Sequence, residues 1–371
     1  MSKADSFFDE QTGLTAAKIE IYKKYIEGYL PKLLMQFKEC IIADLFCGVG
    51  KNGEQDGSPL ILIDRSKYIL TSPQLKSKNA KIQILFNDSD EKNIQNLNEE
   101  LKKLDSCSEI KIIDVLNKNF EELFPQLIEY FKNSKIPKFF FLDPFSYSNI
   151  KMENLRQLMD LQFTEVLLFI PIFHSYRFAS DIKMSENHKT RIFVEEFTKK
   201  GIADYENTKE FMYSVKEKIM QDLSLKYVRP VLLDDGSKKN SLFLLTKHRA
   251  GMLQMNKIAI KLTDDGSTIK VKEKNQQSLF GVEVSSNFDI YKQKLISQIK
   301  MKRKLSNSEI VEFTIVNEFL PKHANLVLKD LFEQNNIIVY DENKIEVKNK
   351  KQWNIAESTS KVVYFEWMGE L

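Results

Sequence analysis

The chain contains few of the residues that mark metal-binding, secreted or membrane proteins. Its 371 residues include three cysteines, at positions 40, 47 and 107, and no C-x-x-C pair. So few and so widely spaced cysteines exclude a cysteine-rich zinc site and favour a reducing compartment. The longest apolar runs, such as residues 166–173, are far shorter than the roughly 20 residues of a membrane-spanning helix. We therefore predict a cytoplasmic protein with no metal and no membrane partner.

An excess of one charge is also lacking. The 55 basic and 52 acidic side chains leave a formal net charge of +3, so any nucleic-acid-binding surface must be a local basic patch. The first residues do not show the basic-then-apolar pattern of a signal peptide, which again favours the cytoplasm. At this length, we expect two or three domains.

Two of the twelve glycines lie in the most informative segment of the chain. A short apolar run ends at Asp44, and the sequence from there to Gly50 reads D-L-F-C-G-V-G. Gly48 and Gly50 have no β-carbon, so the backbone can adopt positive φ and a ligand can lie against it. We predict that Asp44, Phe46, Cys47 and these two glycines line a nucleotide-shaped pocket.

Two common phosphate-binding motifs fit this turn poorly. Gly53 completes the G-x-G-x-x-G pattern of dinucleotide sites. However, residues 57–59 place the next helix several residues later, and the next strand-end acid, Asp88, is about twice as far on as the ~20 residues expected. A Walker A loop is excluded because Leu45 replaces its first glycine and Asn52 replaces its Ser/Thr. A cofactor that has an adenosine but no pyrophosphate fits better.

Four successive predicted strands each end in an aspartate. These acids are Asp44, Asp88, Asp114 and Asp143. The carboxyl ends of parallel strands form the ligand-binding edge of an open α/β sheet. S-adenosylmethionine suits this edge, because Asp44 attracts its sulfonium, Asp88 accepts the ribose hydroxyls and Asp114 accepts the adenine amine. Aspartate is also common in loops and helix caps, but four in succession are less expected on that ground alone.

Four segments share a pattern with a known family. They are residues 15–30 (T-A-A-K-I-E-I-Y-K-K-Y-I-E-G-Y-L), 44–50, 57–60 (G-S-P-L) and 142–145 (L-D-P-F). With them the chain resembles the three-Cys-motif partner (TcmP) family of class I methyltransferase-like proteins. The resemblance runs almost end to end, although only the middle motifs are specific. It implies a methyltransferase fold, methyl transfer from S-adenosylmethionine, and a three-Cys-motif protein as a candidate partner.

The chain departs from this family at three positions. The family more often has Ala and Pro where this chain has Cys47 and Val49, and Gly where it has Ser146. The small residues of the turn are kept, whereas the loop after Asp143 is less well matched.

The loop Asp143-Pro144-Phe145 is the predicted catalytic segment. In methyltransferases that act on planar amines, an Asp/Asn-Pro-Pro-aromatic loop follows the fourth strand, and over this short stretch the chain resembles the D-P-F/Y-G loop of tRNA guanine-N2 dimethyltransferases. Asp143 would accept hydrogen bonds from the target amine, and Phe145 would stack on a flipped or unpaired base. The alternative is a simple turn with a buried aromatic ring.

The predicted fold class is α/β, with a Rossmann-like class I methyltransferase sheet. Residues 227–233 and 241–246 flank a D-D-G-S turn and predict an antiparallel hairpin that closes a five-stranded parallel sheet. The predicted domains are an N-terminal helical segment (1–40), a methyltransferase-like domain (41–262), a linker (263–287), a winged-helix domain (288–350) and a C-terminal tail (351–371).

The winged-helix prediction rests on three helices and a hairpin. The helices are 290–301, one that begins at a capping box at Ser306, and 321–334; the hairpin pairs 337–340 with 344–347. The third helix of such modules can enter a major groove of nucleic acid. Many winged helices bind only protein, and lysine runs are usually solvated surface. The candidate nucleic-acid contacts are Arg303, Lys322, His323 and Lys329.

Three functions fit these predictions. The leading hypothesis is an S-adenosylmethionine-dependent methyltransferase that acts on an exocyclic amine of a nucleobase in RNA or DNA. The first alternative is a catalytically inactive protein of this fold that binds a partner through its winged helix, in a mobile-element or anti-phage setting. The second is a methyltransferase for a small molecule or a protein. The sequence leaves open the substrate, the base and the oligomeric state.

Overall fold

The computed structural model describes residues 3–146, 149–263, 265–270, 286–357 and 361–369. The chain divides into two compact units. The N-terminal unit comprises Met1–Gln254 and Ile269–Gln276, and the C-terminal unit comprises Met255–Thr268 and Gln277–Leu371. The division falls between Gln254 and Met255, whereas the sequence predicted a domain limit at residue 262.

The N-terminal unit is built on a large, mostly parallel sheet. The strands of the chain up to residue 270 are β1 (Glu39–Asp44), β2 (Lys51–Asn52), β3 (Gln55–Asp56), β4 (Lys81–Asp88), β5 (Ile110–Asn117), β6 (Lys138–Leu142), β7 (Thr164–Ile170), β8 (Tyr227–Asp234), β9 (Lys239–Thr246) and β10 (Thr268–Lys270). The main sheet has the order β10-β8-β9-β7-β6-β1-β4-β5, and β2 and β3 form a separate hairpin. Strands β5, β4, β1, β6 and β7 are parallel, and β9 is antiparallel to both β7 and β8. The predicted α/β class, parallel sheet and closing hairpin are confirmed.

The helices of this part of the chain cover both faces of the sheet. They are α1 (Lys3–Phe37), α2 (Ser58–Leu70), α3 (Pro73–Ser77), α4 (Glu91–Lys102), α5 (Phe120–Phe131), α6 (Met152–Asp160), α7 (Ile172–Arg177), α8 (Lys189–Phe197), α9 (Thr208–Asp222) and α10 (Arg249–Leu262). The predicted N-terminal helical segment is α1, and it belongs to the same compact unit as the sheet.

Strand β6 shows how the sequence places these two layers. All five of its residues are buried, as expected of a central parallel strand. Because successive side chains point to opposite faces, Phe139 and Phe141 meet the tyrosines of α1, with 4.5 Å between the ring centroids of Phe141 and Tyr22. Phe140 points the other way and lies 5.9 Å from the ring of Phe131 in α5. Helix α1 therefore covers one face of the sheet, and α5 packs on the other.

The C-terminal unit contains helices and a small antiparallel sheet. Its further elements are α11 (Ser286–Lys302), β11 (Lys304–Ser306), α12 (Asn307–Val316), α13 (Pro321–Glu333), β12 (Ile337–Asp341), α14 (Lys350–Trp353) and β13 (Val363–Trp367), and the sheet order is β11-β13-β12. The predicted capping box is present, since Ser306 Oγ accepts a bond from the Glu309 N–H (3.2 Å) and the Glu309 carboxylate accepts one from the Ser306 N–H (2.9 Å).

The predicted hairpin of this unit is formed only in part, because the Asp341 N–H donates to the Ile345 carbonyl (2.9 Å) and the Val347 N–H to the Val339 carbonyl (2.8 Å), but residues 344–347 do not form a regular strand. Strand β12 pairs with β13, and residues 344–347 contribute an isolated bridge between Tyr340 and Glu346. The reason lies in the side-chain pattern, because Val363 and Phe365 of β13 alternate into the core, whereas Ile345 is 64% exposed. The predicted C-terminal tail thus contains a strand of this sheet.

A buried carboxyl group links α1 to the main sheet. Glu165 of β7 accepts hydrogen bonds from the Tyr25 hydroxyl (2.5 Å) and the Thr246 hydroxyl (2.6 Å). A β-carbon on Gly251 of α10 would lie 2.5 Å from a Glu165 oxygen, so only glycine allows this close approach. Burial raises the pKa of Glu165 to about 7, against the opposing effect of the two hydroxyl donors. Glu165 is therefore largely protonated below neutral pH.

This raised pKa predicts a pH dependence of stability. The folded pKa lies above the unfolded value of 4.5, so the stabilisation is fully present below about pH 4.5 and is lost as the pH rises through about 7. Relative to Glu165→Gln, the wild-type free energy of unfolding should fall over this window by at most roughly 3 kcal/mol. Urea unfolding of both proteins at about pH 5 and about pH 8 measures the difference. The exposed Glu99→Gln is the control, and an identical pH dependence for Glu165→Gln and wild type would contradict the assignment.

Candidate cofactor and substrate site

The glycine turn lies between β1 and the β2–β3 hairpin, as the sequence predicted. Gly48 and Gly50 have φ of 65° and 79°, a region that favours glycine. A β-carbon on Gly48 would meet no atom within 4 Å, so this part of the turn borders open space. Gly50 is packed instead, because its β-carbon would lie 2.8 Å from the Leu97 side chain of α4. Gly53, the third glycine of the dinucleotide pattern, belongs to the β2–β3 hairpin, so it does not open a helix.

Hydrogen bonds to β4 hold the turn in place. The Gly48 N–H donates to Asp88 Oδ2 (2.9 Å), and the Cys47 N–H donates to the Asn87 carbonyl (2.9 Å). The Asn87 amide also donates to the carbonyls of Leu45 (3.2 Å) and Lys118 (3.1 Å). Asn87 therefore joins the ends of three neighbouring strands. Sequence reasoning missed it, although a polar residue at the end of an apolar strand was the available signal.

Asp88 is 1% exposed, and both of its oxygens accept hydrogen bonds within the chain. Besides the Gly48 N–H, they accept the Asp90 N–H (2.9 Å) and the Asn93 amide (3.1 Å). A carboxylate offers about four acceptor positions, so room for one further donor remains. The proposed ribose contact stays a prediction, and the structure adds a role in shaping the turn.

The predicted role of Asp114 rested on a strand end that is wrong. Strand β5 continues to Asn117, which pairs with Asp88, whereas Asp114 pairs with Leu85. Asp114 is exposed, accepts the N–H of its own neighbour Val115 (2.9 Å), and lies about 10 Å before the edge of the sheet at ~3.3 Å per residue. The apolar pair after Asp114 extends the strand, so Asn117 occupies the place predicted for the adenine acceptor.

Asp44 is fully buried at the end of β1. Its Oδ2 accepts the Ser58 hydroxyl (2.6 Å), while its Oδ1 has no hydrogen-bond partner among the residues that the structure describes. The Tyr22 hydroxyl of α1 is likewise buried without a partner in the described chain. Burial raises the pKa of Asp44 to about 7; the Ser58 bond opposes this shift and the charge of Asp143 adds to it. A buried oxygen with no donor is suited to receive a cation or a hydrogen-bond donor from a ligand.

Asp143 contacts a residue that the sequence did not single out. Its Oδ2 contacts the Lys18 ammonium group of α1, which also lies 4.6 Å from the Phe169 ring centroid. The Asp143 side chain is 19% exposed. Lys18 lies four residues before Tyr22 on the buried face of α1, and a charged residue on such a face was the signal that could have found it.

The two residues after Asp143 point in different directions. Pro144 packs into a small enclosed space beside Ile150, Leu168 and Phe193. Phe145 is 80% exposed. The alternative of a turn with a buried ring is therefore wrong, and the loop presents an anchored proline and a free aromatic face.

The remaining predicted cofactor residues serve mainly to pack the turn. The Phe46 ring stacks on Phe120 of α5 with 5.2 Å between centroids. Cys47 is 4% exposed, and burial raises its thiol pKa well above the usual range, so the thiol stays neutral and acts as a small apolar filler in the turn.

The four candidate nucleic-acid contacts of the C-terminal unit differ in their exposure and in their hydrogen bonds. Lys322 and Lys329 are exposed and seven positions apart on α13, so they share one face. His323 is half-buried, its Nδ1 accepts the Leu320 N–H (3.1 Å), and burial lowers its pKa to about 4. Arg303 donates to the Gly369 carbonyl (2.7 Å). His323 thus supports the start of its helix, and the two lysines are the better candidates.

The described residues contain neither a metal-binding cluster nor a membrane-spanning helix. No group of three or more His, Cys, Asp or Glu side chains in the described ranges could hold a metal ion. Across the same ranges, no helix is both long and apolar enough to span a bilayer.

Comparison with known proteins gives weak similarities. No protein-family model and no curated protein matches the chain. Among solved structures, it is similar to Trm1 from Pyrococcus horikoshii in complex with S-adenosyl-L-methionine (13% identity, TM-score 0.35, 67% of this chain and 58% of that chain). It is also similar to the bifunctional kinase-methyltransferase WbdD (12%, 0.36, 77% and 56%) and to the cyclopropane synthase MmaA2 from Mycobacterium tuberculosis (8%, 0.27, 91% and 81%).

The chain spans a little over half the length of the first two of these proteins, 58% and 56%. Their TM-scores of 0.35 and 0.36 are too low to carry an argument about activity. Any function is therefore inferred from the strand order and the site geometry of this chain.

The bonds of Asp88 predict a structural cost for its removal. Asp88→Ala should lower the free energy of unfolding by about 1 to 3 kcal/mol, because three donors lose their acceptor. Asp114→Ala, in the adjacent strand, should change it little, since that side chain is exposed and, among the described residues, accepts only its neighbour's N–H. Urea unfolding of the two variants and wild type tests this, and equal stability of Asp88→Ala and wild type would refute the role in the turn.

Proposed function

We propose that the protein is an S-adenosylmethionine-dependent methyltransferase that acts on an exocyclic amine of a nucleobase. The observation that carries the proposal is the buried Asp44, which begins the D-L-F-C-G-V-G segment, is close enough to Asp143 to feel its charge, and has no hydrogen-bond partner for its Oδ1 among the described residues. The order β5-β4-β1-β6-β7-β9-β8, with β9 antiparallel, is typical of class I methyltransferases. The turn follows β1, which has β4 on one side and β6 on the other, and ligands of open α/β sheets bind at such a switch point.

The residues around the turn fit a cationic adenosine cofactor. Open space borders Gly48, so the backbone there can lie against a flat ligand. The free oxygen of Asp44 is suited to a positive charge, which would favour the ionised form of this carboxyl group. Asp88 would accept a hydrogen bond from the ribose hydroxyls, and Asn117 would accept one from the adenine amine. When bound, S-adenosylmethionine supplies a methyl group on a positively charged sulfur.

Asp143 and Phe145 would receive the target base. Lys18 occupies Asp143 Oδ2, so Oδ1 is left to accept the target N–H. A hydrogen bond from the amine to this oxygen orients the nitrogen lone pair away from the ring, which makes the nitrogen a better nucleophile. Phe145, which is 80% exposed, offers a face on which an unpaired base can stack.

The C-terminal unit would contribute nucleic-acid binding. We interpret its three helices α11–α13 and its sheet as a winged helix, with Lys322 and Lys329 of α13 facing phosphate groups. The resemblance to three-Cys-motif partner proteins belongs to the same proposal, with a three-Cys-motif protein as a candidate partner in the cytoplasm. A partner-binding protein without catalysis remains the alternative, and methyl-transfer assays decide between the two.

The role of Asp44 predicts a charge-dependent affinity. Asp44→Asn should weaken S-adenosylmethionine binding by about 1 to 3 kcal/mol, and S-adenosylhomocysteine binding less, because the second ligand lacks the sulfonium charge. Wild-type affinity for S-adenosylmethionine should rise between about pH 6 and about pH 8, as a carboxyl group with a pKa of about 7 ionises. Calorimetry at both pH values measures this. Equal affinity of wild type and Asp44→Asn for S-adenosylmethionine would exclude the contact.

The role of Asp143 separates chemistry from cofactor binding. Asp143→Ala should abolish methyl transfer and change cofactor affinity only a little, because Asp143 would contact the target amine and acts on Asp44 only through its charge. Asp143→Asn should retain part of the activity because its amide oxygen still accepts a hydrogen bond. Radiolabelled methyl transfer to total RNA, DNA and protein, beside calorimetry, measures both properties. A collapse of cofactor affinity would place Asp143 in the cofactor site, and transfer to protein alone would favour the protein substrate.

A further inference from the structure

Helix α7 and the residue after it present an exposed group of aromatic and basic side chains. We call Phe173, His174, Arg177 and Phe178 the α7 patch. The rings of His174 and Phe178 are 5.0 Å apart, and the Arg177 guanidinium lies 5.8 Å from the Phe173 ring centroid and 5.9 Å from that of Phe178. His174, Arg177 and Phe178 are exposed, and Phe173 is half-buried.

The α7 patch lies on the same edge of the sheet as Asp143. Strands β6 and β7 are parallel neighbours, and Leu142 pairs with Leu168. Asp143 is therefore level with Phe169, and Lys18 contacts both. Helix α7 begins three residues after Phe169, within about 10 Å at ~3.3 Å per residue. A nucleic-acid strand bound on the patch could present a base to Asp143.

Exposed cations lie in the patch and shortly after it. Residues 171–192 contain four basic and two acidic side chains, and two further acids, Glu195 and Glu196, follow. Arg191 is paired with Glu195 (2.9 Å), whereas Arg177, Lys183 and Lys189 are exposed. A basic surface with exposed rings is what proteins use to bind single-stranded nucleic acid, because bases stack on the rings and phosphates contact the cations. An apolar protein partner would leave these cations without counter-charges.

We propose that the α7 patch binds an unpaired strand of nucleic acid. Phe178 stacks on a base, and Arg177 contacts a backbone phosphate. Delivery of the next base to Asp143 rests on the proposed function, whereas binding of the strand does not. The ligand bound beside this edge of the sheet is thus single-stranded nucleic acid and not a duplex.

Binding of fluorescent oligoribonucleotides to the full chain tests the proposal. The probe is a single strand about 12 nucleotides long, beside the same sequence as a duplex. Phe178→Ala should weaken binding of the single strand roughly 10-fold, because one stacking ring is lost. Arg177→Ala should also weaken it and should reduce the slope of log affinity against log salt by about 0.7, since one phosphate contact is removed.

Tyr68→Ala is the matched control. Tyr68 of α2 is 68% exposed and lies 5.8 Å from the Arg65 guanidinium, so it is a similar aromatic–cation pair at the last turn of another helix. This variant should bind the single strand like wild type. An equal loss in Tyr68→Ala and Phe178→Ala would overturn the site, and an equal loss for single strand and duplex would overturn the preference for unpaired nucleic acid.

The C-terminal unit is a second candidate for nucleic-acid binding, so it needs a separate set of variants. The α7 variants are therefore also measured in a Lys322→Glu, Lys329→Glu background, and ultraviolet crosslinks are mapped by mass spectrometry. We expect crosslinked peptides from residues 171–183. Crosslinks confined to residues 286–369, with unchanged affinity in both α7 variants, would overturn the proposal, as would the absence of binding at low salt.

Calorimetry with S-adenosylhomocysteine separates this inference from the proposed function. Wild type and both α7 variants should bind it equally, which also shows that the variants are folded. If wild type fails to bind it, the cofactor proposal fails, while the oligonucleotide results still decide the role of the α7 patch.

Discussion

Helix α1 places polar side chains near three acids in or next to the main sheet and contacts two of them, and the candidate site depends on this arrangement. Lys18 contacts Asp143 after β6, and Tyr25 donates to Glu165 in β7. Tyr22 lies between Lys18 and Tyr25 on the helix. Burial raises the pKa of Tyr22, and the nearby charge of Asp44 raises it further. Since an unpaired buried charge is costly, a helix with these side chains in this order is needed to cover this face of the sheet.

Two of these acids have similarly raised pKa values but differ in their hydrogen bonds. Burial raises the pKa of both Asp44 and Glu165 to about 7. Glu165 is nevertheless satisfied, because hydroxyl groups donate to both of its oxygens. Asp44 Oδ2 accepts the Ser58 hydroxyl, and its Oδ1 accepts no hydrogen bond of normal geometry in the described structure, although the Phe46 N–H is close enough to lower the pKa of Asp44. A raised pKa alone does not distinguish the two, whereas the missing donor at Asp44 is the feature that supports its proposed contact with a ligand.

Local patterns in the sequence predicted the elements well and the contacts between them poorly. The glycine turn, the Ser306 capping box and the closing hairpin follow from turn chemistry and apolar periodicity, which act over a few residues. Lys18 was missed because its partner Asp143 is 125 positions away. Asp114 was taken as a strand end although β5 continues to Asn117, since an aspartate in a strand looks the same as one that ends it. Chain-distant pairing is tertiary information that no short pattern contains.

The charges of the site connect its cofactor and substrate halves. The charge of Asp143 raises the pKa of Asp44, and the Lys18 ammonium lowers it. In the proposed complex the substrate amine binds Asp143 Oδ1 and Lys18 keeps Oδ2, so the ammonium group stays beside both carboxyl groups. A cofactor cation bound at Asp44 would add a second positive charge and would favour the ionised form of Asp44, because opposite charges attract at short range. The charge of Asp143 therefore acts on the proposed cofactor contact without touching the cofactor.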